Sequence, residues 1–538
     1  VLLVLLIACV NVGNLLLARA QDQSRESAIR VALGASRGRM VRQWVTSTLL
    51  LTLLGGALGL LAAHWGLAAF LAVNPEPVPR AEGIGLDGRV VAFTLGLTLL
   101  TALVLGMVPA LRASRPDLQG TFKEGGGKAT ASAGVHRFRR VLVGLEVALA
   151  LVLLISAGLT LKSFARLRQV DPGFRATGLL TMELSLPRSR FGEDREASQL
   201  YDRLLDRIVA LPGVEAASSV SLLPFAGGDA HRSASVGAEG QPYSPGDALP
   251  EPEVRSIDHR YFRTMDIPVL AGRAFTASDD EKAFPMAVID DVVARRLWPG
   301  TRTLEVVGKR FKLGPPVEQN PAPWVTVVGV AGVARQFGLG TDESRGVVYF
   351  PQLRRAERTQ SLIIRAEGDA DPLTLAGPVR DAVRTMVPDQ PVAQVMTMEQ
   401  RIAASLASPR FSMLLLAAFA AVAMALAAVG IYGVVAYSVG QRTHEIGVRM
   451  ALGAQRRQVL TLVVLQGMSV VLAGLVLGLL ASYWATRALA GLLYGVAATD
   501  AATFVTVSLL LAAVGLAANL LPARRAANLE PTTALRYE

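Results

Sequence analysis

Seven long apolar stretches constrain the fold of this sequence more than any other feature. A helix needs about 20 consecutive apolar residues to cross a bilayer. Runs of that order occupy residues 1–18, 45–73, 90–111, 141–161, 411–438, 459–486 and 501–521. Long buried helices of a soluble core are the alternative interpretation, but several of these runs are nearly free of charge. We therefore predict a polytopic α-helical membrane protein with seven spans in this fragment.

Positive charges predict which side of the membrane each loop faces. The formal net charge is +11, and cations concentrate in segments 19–42, 112–140 and 440–457 and in the C-terminal tail. Because Lys and Arg accumulate in cytoplasmic loops, these segments are predicted to be cytoplasmic. A basic balance can also indicate nucleic-acid binding. No basic face interleaved with aromatic residues is present, so we expect no nucleic-acid partner.

The spacing of the spans divides the chain into five parts. Residues 162–410 contain no span and are predicted to form an external domain of roughly 250 residues, enough to bury its own core. Three spans, a cytoplasmic linker and one span precede this domain, and three spans follow it. These other parts occupy residues 1–111, 112–138, 139–161 and 411–538.

The external domain shows two β-α-β patterns. Alternating strands flank a helical pattern over residues 179–224, and the same order recurs over 361–398. Two such halves around an insertion predict an α+β domain with a ferredoxin-like layer. We expect the β-rich insert between them to form a second subdomain.

One phrase occurs twice in the chain. The stretch "RESAIRVALGA" (25–35) returns as "HEIGVRMALGA" (444–454), and the same ungapped register continues through the next apolar run. A register kept through charged and apolar stretches indicates a duplicated unit, and an even number of spans per unit gives parallel repeats. The sequence opens inside an apolar run without Met. We therefore interpret residue 1 as the truncated edge of a longer protein whose first unit begins upstream.

The repeated phrase has the pattern of a short amphipathic helix between two spans. Glu445 precedes Arg449 by four residues, which is the favourable direction for an ion pair on a helix. Gly453 suits the position that ends a helix with a left-handed residue. An interfacial helix whose cations contact lipid headgroups remains the alternative interpretation.

Small residues recur at a spacing that allows helices to approach closely. We predict helix-packing seams at four glycines: Gly55, Gly59, Gly474 and Gly478.

The "E-x3-R-x-A-L-G-A" phrase resembles that of the FtsX-like permease family of ABC transporters, and the whole arrangement is similar to the macrolide-exporter (MacB) type. The stretches "YFRTMDIPVLAGRAF" (261–275) and "VTVVGVAGVARQFGL" (325–339) resemble the periplasmic core domain of that family. The tandem duplication resembles the group called acidobacterial duplicated orphan permeases.

The resemblance implies a permease subunit that transmits ATP-driven motion of a partner to a periplasmic domain, for efflux or extrusion of cargo. It implies a multi-pass protein of the bacterial inner membrane, with the large domain in the periplasm. The implied partners are a cytoplasmic ABC ATPase subunit, the lipid bilayer and a periplasmic adaptor. It also implies coupling helices near 24–35 and 443–454 that contact the ATPase. The implied coupling positions are Glu26, Arg30, Leu33, Gly34, Ala35, Glu445, Arg449, Leu452, Gly453 and Ala454.

The chain is not expected to be an enzyme. The nearest approach to a P-loop, "FKEGGGKAT" (122–130), lacks both the first glycine and the final hydroxyl residue of that motif. ATP hydrolysis is therefore expected in a partner subunit. The histidines share no metal-ligand spacing, so we expect no catalytic residue, metal or cofactor.

Two other function classes remain open. A non-transporting signalling or scaffold protein that regulates an envelope process would have the same spans and domain. A secondary transporter would need charged residues or broken helices at mid-membrane depth, and the spans offer almost none.

Overall fold

Two units make up the chain in a computed structural model. One combines Val1–Arg166 with Ser408–Glu538, and the other is Leu167–Ala407. The structure describes residues 1–22, 36–73, 85, 87–113, 129–187, 194–226, 232–244, 246–279, 285–340, 345–352 and 357–528. The first copy of the repeated phrase and most of the predicted 112–138 linker lie outside these residues.

Long helices make up most of the described parts of the first unit. Its helices are α1 (Leu2–Asp22), α2 (Arg37–Val73), α3 (Gly88–Ala113), α4 (Ala129–Leu167), α10 (Ala407–Gln441), α11 (Thr443–Ala451), α12 (Arg456–Ala488) and α13 (Ala501–Ala527). In the described residues, five segments are long and apolar enough to cross a membrane: Val41–Ala69, Arg137–Leu167, Ala407–Gln441, Arg456–Ala488 and Ala501–Ala527. Shorter apolar helical stretches cover Leu2–Leu16 and Gly88–Leu103. The count of seven spans therefore stays a prediction.

Helix α4 forms the centre of this unit. Val147, Leu151 and Ile155 are fully buried in one apolar cluster with residues of α10, α12 and α13. The candidate span on α4 is 67% buried, against 33% for the one on α12 and 6% for the one on α2. The sequence of α4 from Val141 to Leu161 is apolar on all sides apart from Glu146. It fits this position, because a helix that is hydrophobic all round is buried or spans a membrane.

Within its described residues, the second unit is built on one 11-stranded mixed sheet. Its strands are β1 (Leu179–Ser185), β2 (Val214–Val220), β3 (Val236–Ala238), β4 (Glu253–Ile257), β5 (Val269–Gly272), β6 (Met286–Asp290), β7 (Arg310–Leu313), β8 (Val325–Ala331), β9 (Val347–Pro351), β10 (Thr359–Ala366) and β11 (Val392–Thr397). The strand order is β11-β1-β10-β2-β4-β9-β6-β8-β7-β3, and β5 pairs with β8. The helices are α5 (Asp194–Val209), α6 (Tyr261–Met265), α7 (Asp291–Leu297), α8 (Ala376–Met386) and α9 (Met398–Ser405).

The predicted ferredoxin-like layer is present at one end of this sheet. Strands β11, β1, β10 and β2 lie side by side with antiparallel pairing, and α5 and α8 are the crossover helices of the two β-α-β halves. Alternate residues of β1, such as Leu180 and Met182, join the core that α5 covers through Leu204 and Leu205. The alternation and the helical spacing in the sequence are the direct cause of this layer.

The β-rich insert extends the same sheet and does not form a separate one. A single residue pair, Val220 with Ile257, joins β2 to β4. Beyond this joint the sheet contains parallel pairs, and Ile289, Trp298 and Phe311 belong to a second apolar cluster. The expected second subdomain therefore has its own core, but its strands continue the sheet of the first layer.

Candidate functional site

Helix α11 carries the second copy of the repeated phrase. It ends in paired backbone hydrogen bonds, from Ala454 N–H to the Arg449 carbonyl at 3.0 Å and from Gly453 N–H to the Met450 carbonyl at 3.1 Å. Gly453 has φ of +98°, a left-handed conformation that costs glycine little. This is the helix-ending motif expected for Gly453, and it fixes the direction in which the chain turns into α12.

The predicted ion pair is formed on the exposed side of α11. Arg449 Nη2 donates to Glu445 Oε1 at 2.6 Å, and the two side chains are 52% and 50% exposed. Such an i,i+4 pair stabilises a helix by only about 0.3–0.5 kcal/mol. Both charges are therefore available to an external partner at small cost.

The opposite side of α11 is anchored in the helical unit. Ile446 is 6% exposed and belongs to an apolar cluster with Val435 of α10, Val459 and Val463 of α12, and Ala523 of α13. Packed side chains therefore join α11 to three of the long apolar helices, and packed cores deform little.

Leu452 lies at the end of α11 and is 83% exposed. Val448, one turn earlier, is exposed as well. These apolar side chains lie beside the exposed Glu445–Arg449 pair, so α11 presents an apolar patch with a charged rim. Protein interfaces have the same anatomy.

The predicted coupling positions of the first copy, Glu26, Arg30, Leu33, Gly34 and Ala35, lie outside the described residues. Their role stays a prediction.

The four predicted seam glycines behave differently in the two repeats. A Cβ added at Gly474 would lie 2.7 Å from the Gly144 carbonyl oxygen of α4, and one added at Gly478 would lie 3.0 Å from Ala148 Cα. At Gly55 or Gly59 an added Cβ would meet no described atom within 4 Å. In the second repeat, therefore, close contact with α4 requires glycine.

In the first repeat the close approach of α2 to α3 falls one residue away, at Gly56. A Cβ added there would lie 3.0 Å from Thr98 Oγ1. The sequence pattern did not single out this glycine.

A buried polar cluster within the helical unit was missed by the sequence analysis. The Asn11 amide of α1 donates to the Glu146 carboxylate of α4 and also to the Leu426 carbonyl of α10, the latter at 3.0 Å. Glu146 is fully buried, and a Cβ at Gly430 would collide with its carboxyl group. The available signal was a single acid in the apolar run "VLVGLEVALALVLL", since an ionisable residue in a span usually has a specific partner.

A second missed interaction joins the far end of α4 to the start of α13. Lys162 Nζ lies 2.7 Å from Asp500 Oδ2, and Asp500 also caps α13 by accepting from Thr503 N–H at 3.0 Å. The hydrogen bond from Lys162, with those from Thr503, lowers the pKa of Asp500 to about 2.

No group of three or more His, Cys, Asp or Glu side chains that could hold a metal ion occurs within the described ranges. In the second unit, the carboxyl group of Asp290 is strongly perturbed. Asp290 caps α7 by accepting from Val293 N–H at 2.9 Å, and burial raises its pKa to about 7. We assign this carboxyl a structural role, because helix capping accounts for its position.

Two family models match the chain. The FtsX-like permease C-terminal model matches residues 1–118 and again 417–531, as expected for a duplicated unit. The MacB-like periplasmic core domain model matches residues 147–382.

Individual relatives are similar over parts of the chain. The macrolide export ATP-binding/permease protein MacB 2 of Yersinia pestis bv. Antiqua is 26% identical over 304 residues, which cover 53% of this chain and 41% of that protein. The uncharacterized ABC transporter permease YvrN of Bacillus subtilis is 26% identical over 298 residues, covering 53% of this chain and 70% of that protein. The chain thus spans less than half the length of its MacB relative.

Among solved structures, the periplasmic region of MacB from Actinobacillus actinomycetemcomitans covers 44% of this chain and 94% of its own. The identity is 11% and the TM-score is 0.29, a likeness too low to define the fold.

The chain has several long apolar helices, and a mixed-sheet domain lies between two of them in sequence. These features define a multi-pass membrane protein with a large extramembrane domain. The two permease matches flank the match to the core domain, and together they cover most of the chain. The chain belongs to the FtsX/MacB-type family of ABC transporter permeases.

Proposed function

We propose that this chain is the permease subunit of an ABC transporter and that α11 is one of its coupling helices. The observation that supports this proposal most directly is that α11 has one buried side and one exposed side. One side, at Ile446, is locked into the core of the helical unit, and the other exposes Leu452 and the Glu445–Arg449 pair. A partner that presses on the exposed side displaces α10, α12 and α13 together.

The direction of transmission follows from the connectivity of the chain. Helices α4 and α10 lead into and out of residues 167–407 in sequence. Motion that α11 passes to α10 therefore reaches the covalent attachment of the extramembrane domain. We propose that this domain works on cargo for efflux or extrusion, and that a periplasmic adaptor is a further partner.

The same proposal includes the membrane arrangement. The apolar runs and the distribution of cations support seven spans and a cytoplasmic α11. The match to the MacB-like periplasmic core domain supports an inner-membrane location and a periplasmic second unit. ATP hydrolysis belongs to the partner subunit in this scheme, so the chain itself is non-catalytic. The first copy of the phrase, with Arg30 at the position of Arg449, supplies the second coupling helix.

Co-purification tests this proposal. The tagged chain is expected to retain an ABC ATPase from its native host, and Leu452→Asp combined with charge reversal at Arg449 should weaken that association at least tenfold. Loss of a leucine that the complex would bury, together with an arginine that would pair with the partner, should weaken the binding free energy by about 2–4 kcal/mol. Leu304→Asp is the matched control, because Leu304 is also exposed (73%) but lies in the second unit.

Equal retention of the ATPase by the α11 variant and the wild type would remove α11 as the docking surface. A separate charge reversal at Arg30 tests the first copy in the same assay. If it leaves the ATPase bound while the α11 variant does not, only the second repeat couples.

A further inference from the structure

A cavity lies between α11 and the ends of three membrane helices. It has a volume of about 110 Å³ and is lined by residues of α4, α10, α11 and α12. Leu462 lies on its wall and is 38% exposed, so the cavity communicates with the surface of the unit. The cavity is distinct from the exposed patch of α11, although Glu445 and Arg449 contribute to both.

The wall of the cavity is apolar and its rim is basic. Val143, Ile431 and Val463 are buried residues of the wall. The rim holds Arg140 and Arg442 in addition to the Glu445–Arg449 pair.

Charge is unbalanced at this rim. Three arginines lie among the lining residues that the structure describes, together with one acid, which is already paired with Arg449. Two formal positive charges therefore remain. Arg442 also donates to Gln466 Oε1, but at 3.3 Å this bond to a neutral amide leaves its charge uncompensated. An anion is the complementary ligand.

The size of the cavity excludes some ligands. Sites for drug-sized molecules have volumes of roughly 300–1,000 Å³, so this cavity is too small to enclose such cargo. A molecule with one anionic group and a narrow apolar tail is complementary to this site. Its anionic group would contact the basic rim, part of its tail would contact the apolar wall, and the rest of the tail would lie outside the cavity. Membrane phospholipids have this chemistry, and basic pockets between helices on the cytoplasmic side bind anionic headgroups.

We propose that this cavity binds an anionic phospholipid of the cytoplasmic leaflet. The headgroup phosphate is held at Arg140 and Arg442, because the forked guanidinium donors match phosphate geometry, and an acyl chain lies against Val143 and Ile431. Since Arg449 lies on the same rim, the lipid competes with Glu445 for it and alters the charge that α11 presents. The site relies on the cytoplasmic orientation proposed above and not on ATPase docking.

Lipid retention by the purified full chain in neutral detergent tests the site, and no ATPase is present in this assay. Native mass spectrometry counts bound phosphatidylglycerol and phosphatidylcholine of matched acyl chains. The wild type should retain phosphatidylglycerol preferentially, and the double variant Arg140→Gln/Arg442→Gln should bind it about thirtyfold more weakly. Arg456→Gln/Arg457→Gln is the matched control, since it removes the same charge from exposed positions of α12 that do not line the cavity.

A second variant tests the cavity without changing its charge. Val434→Phe introduces a larger side chain at the wall and should also reduce phosphatidylglycerol binding. The proposal is overturned if Val434→Phe binds phosphatidylglycerol as the wild type does, because the headgroup would then bind outside the cavity. It is also overturned if the control loses as much binding as the Arg140/Arg442 variant. Displacement of the lipid by millimolar inorganic phosphate would show a site for soluble anions instead.

This design separates failure of the lipid site from failure of the coupling proposal. Retention of the ATPase by Arg140→Gln/Arg442→Gln, with lipid binding lost, would support the lipid site and leave docking on α11 intact.

Discussion

Glu146 carries a carboxyl group at a fully buried position in the helical unit, and the Asn11 amide is its hydrogen-bond donor. Its second oxygen, Oε2, has no hydrogen-bond partner among the residues described. Burying a polar group is unfavourable unless it is hydrogen-bonded. The contact with Asn11 therefore joins the first repeat to the second at an energetically important point.

A double-mutant cycle measures this contact. Asn11→Ala leaves the carboxyl without its donor and should destabilise the protein by about 1–3 kcal/mol. The same change in a Glu146→Leu background should cost less, because leucine offers no acceptor whose hydrogen bond with the Asn11 amide could be lost. Thermal unfolding of the detergent-solubilised chain provides the measurement. Equal losses in both backgrounds would show that Asn11 acts through packing alone.

Asp500 gives the protein a defined dependence on pH. Its pKa, about 2 in the folded state, is below the ordinary value of an aspartate, so the unfolded state binds more protons between about pH 4 and pH 2. The stabilisation from the Lys162 contact is therefore complete above about pH 4 and is lost as the pH falls towards 2.

Asp500→Asn tests this dependence, because asparagine remains a good N-cap while the charge pair is removed. The Tm of the variant should lie below that of the wild type at pH 7, and the two values should converge as the pH falls to about 2. A difference in Tm that is independent of pH would assign the effect to the cap instead. Lys162→Met provides the reciprocal variant at the other end of the contact.

At the scale of the helices, the two repeats provide a matched experiment. Gly474 and Gly478 contact α4, whereas Gly55 and Gly59 hold the corresponding sequence positions without a described neighbour within 4 Å. Alanine at either position of the second repeat should destabilise the unit by about 1–3 kcal/mol, the usual cost of overpacking. Alanine at the first-repeat positions should be neutral or stabilising by up to about 1 kcal/mol, because glycine is a poor helix former.

Thermal unfolding of the four single variants decides between this asymmetry and symmetric seams. If alanine destabilises both repeats equally, then Gly55 and Gly59 contact a helix in the membrane as tightly as Gly474 and Gly478 do. If alanine destabilises neither repeat, α12 and α4 can move apart to accommodate the added methyl group with no loss of stability.

At the scale of the whole chain, local sequence patterns predicted strands and helices. They did not predict which residues distant in sequence pair with each other. The alternation in "LLTMELSLP" and the spacing in "EASQLYDRLLDRIVAL" predict β1 and α5 to within two residues at each end, because periodicity reports which face is buried. The joint between Val220 and Ile257 has no periodic signal, since it depends on a single pair distant in sequence.

The candidate site also combines features that are local in sequence with contacts between residues distant in sequence. The end of α11 at Gly453 and the ion pair between Glu445 and Arg449 are local, so spacing alone predicts them. The contact between Asn11 and Glu146 spans 135 positions, and the cavity beside α11 is formed by four helices. Neither can be deduced from one stretch of sequence.

Membrane topology is the whole-molecule property on which the coupling proposal depends. The chain has one cysteine, Cys9, so a Cys9→Ala background permits single labels at chosen positions. Asp369→Cys, in the exposed part of the second unit, should react with a membrane-impermeant maleimide in cells whose outer membrane alone is permeabilised. Leu452→Cys, at the exposed end of α11, should react only after the inner membrane is opened, because the cations around the repeated phrase predict a cytoplasmic loop. Reaction at position 452 in cells with an intact inner membrane would place α11 where no ATPase can reach it.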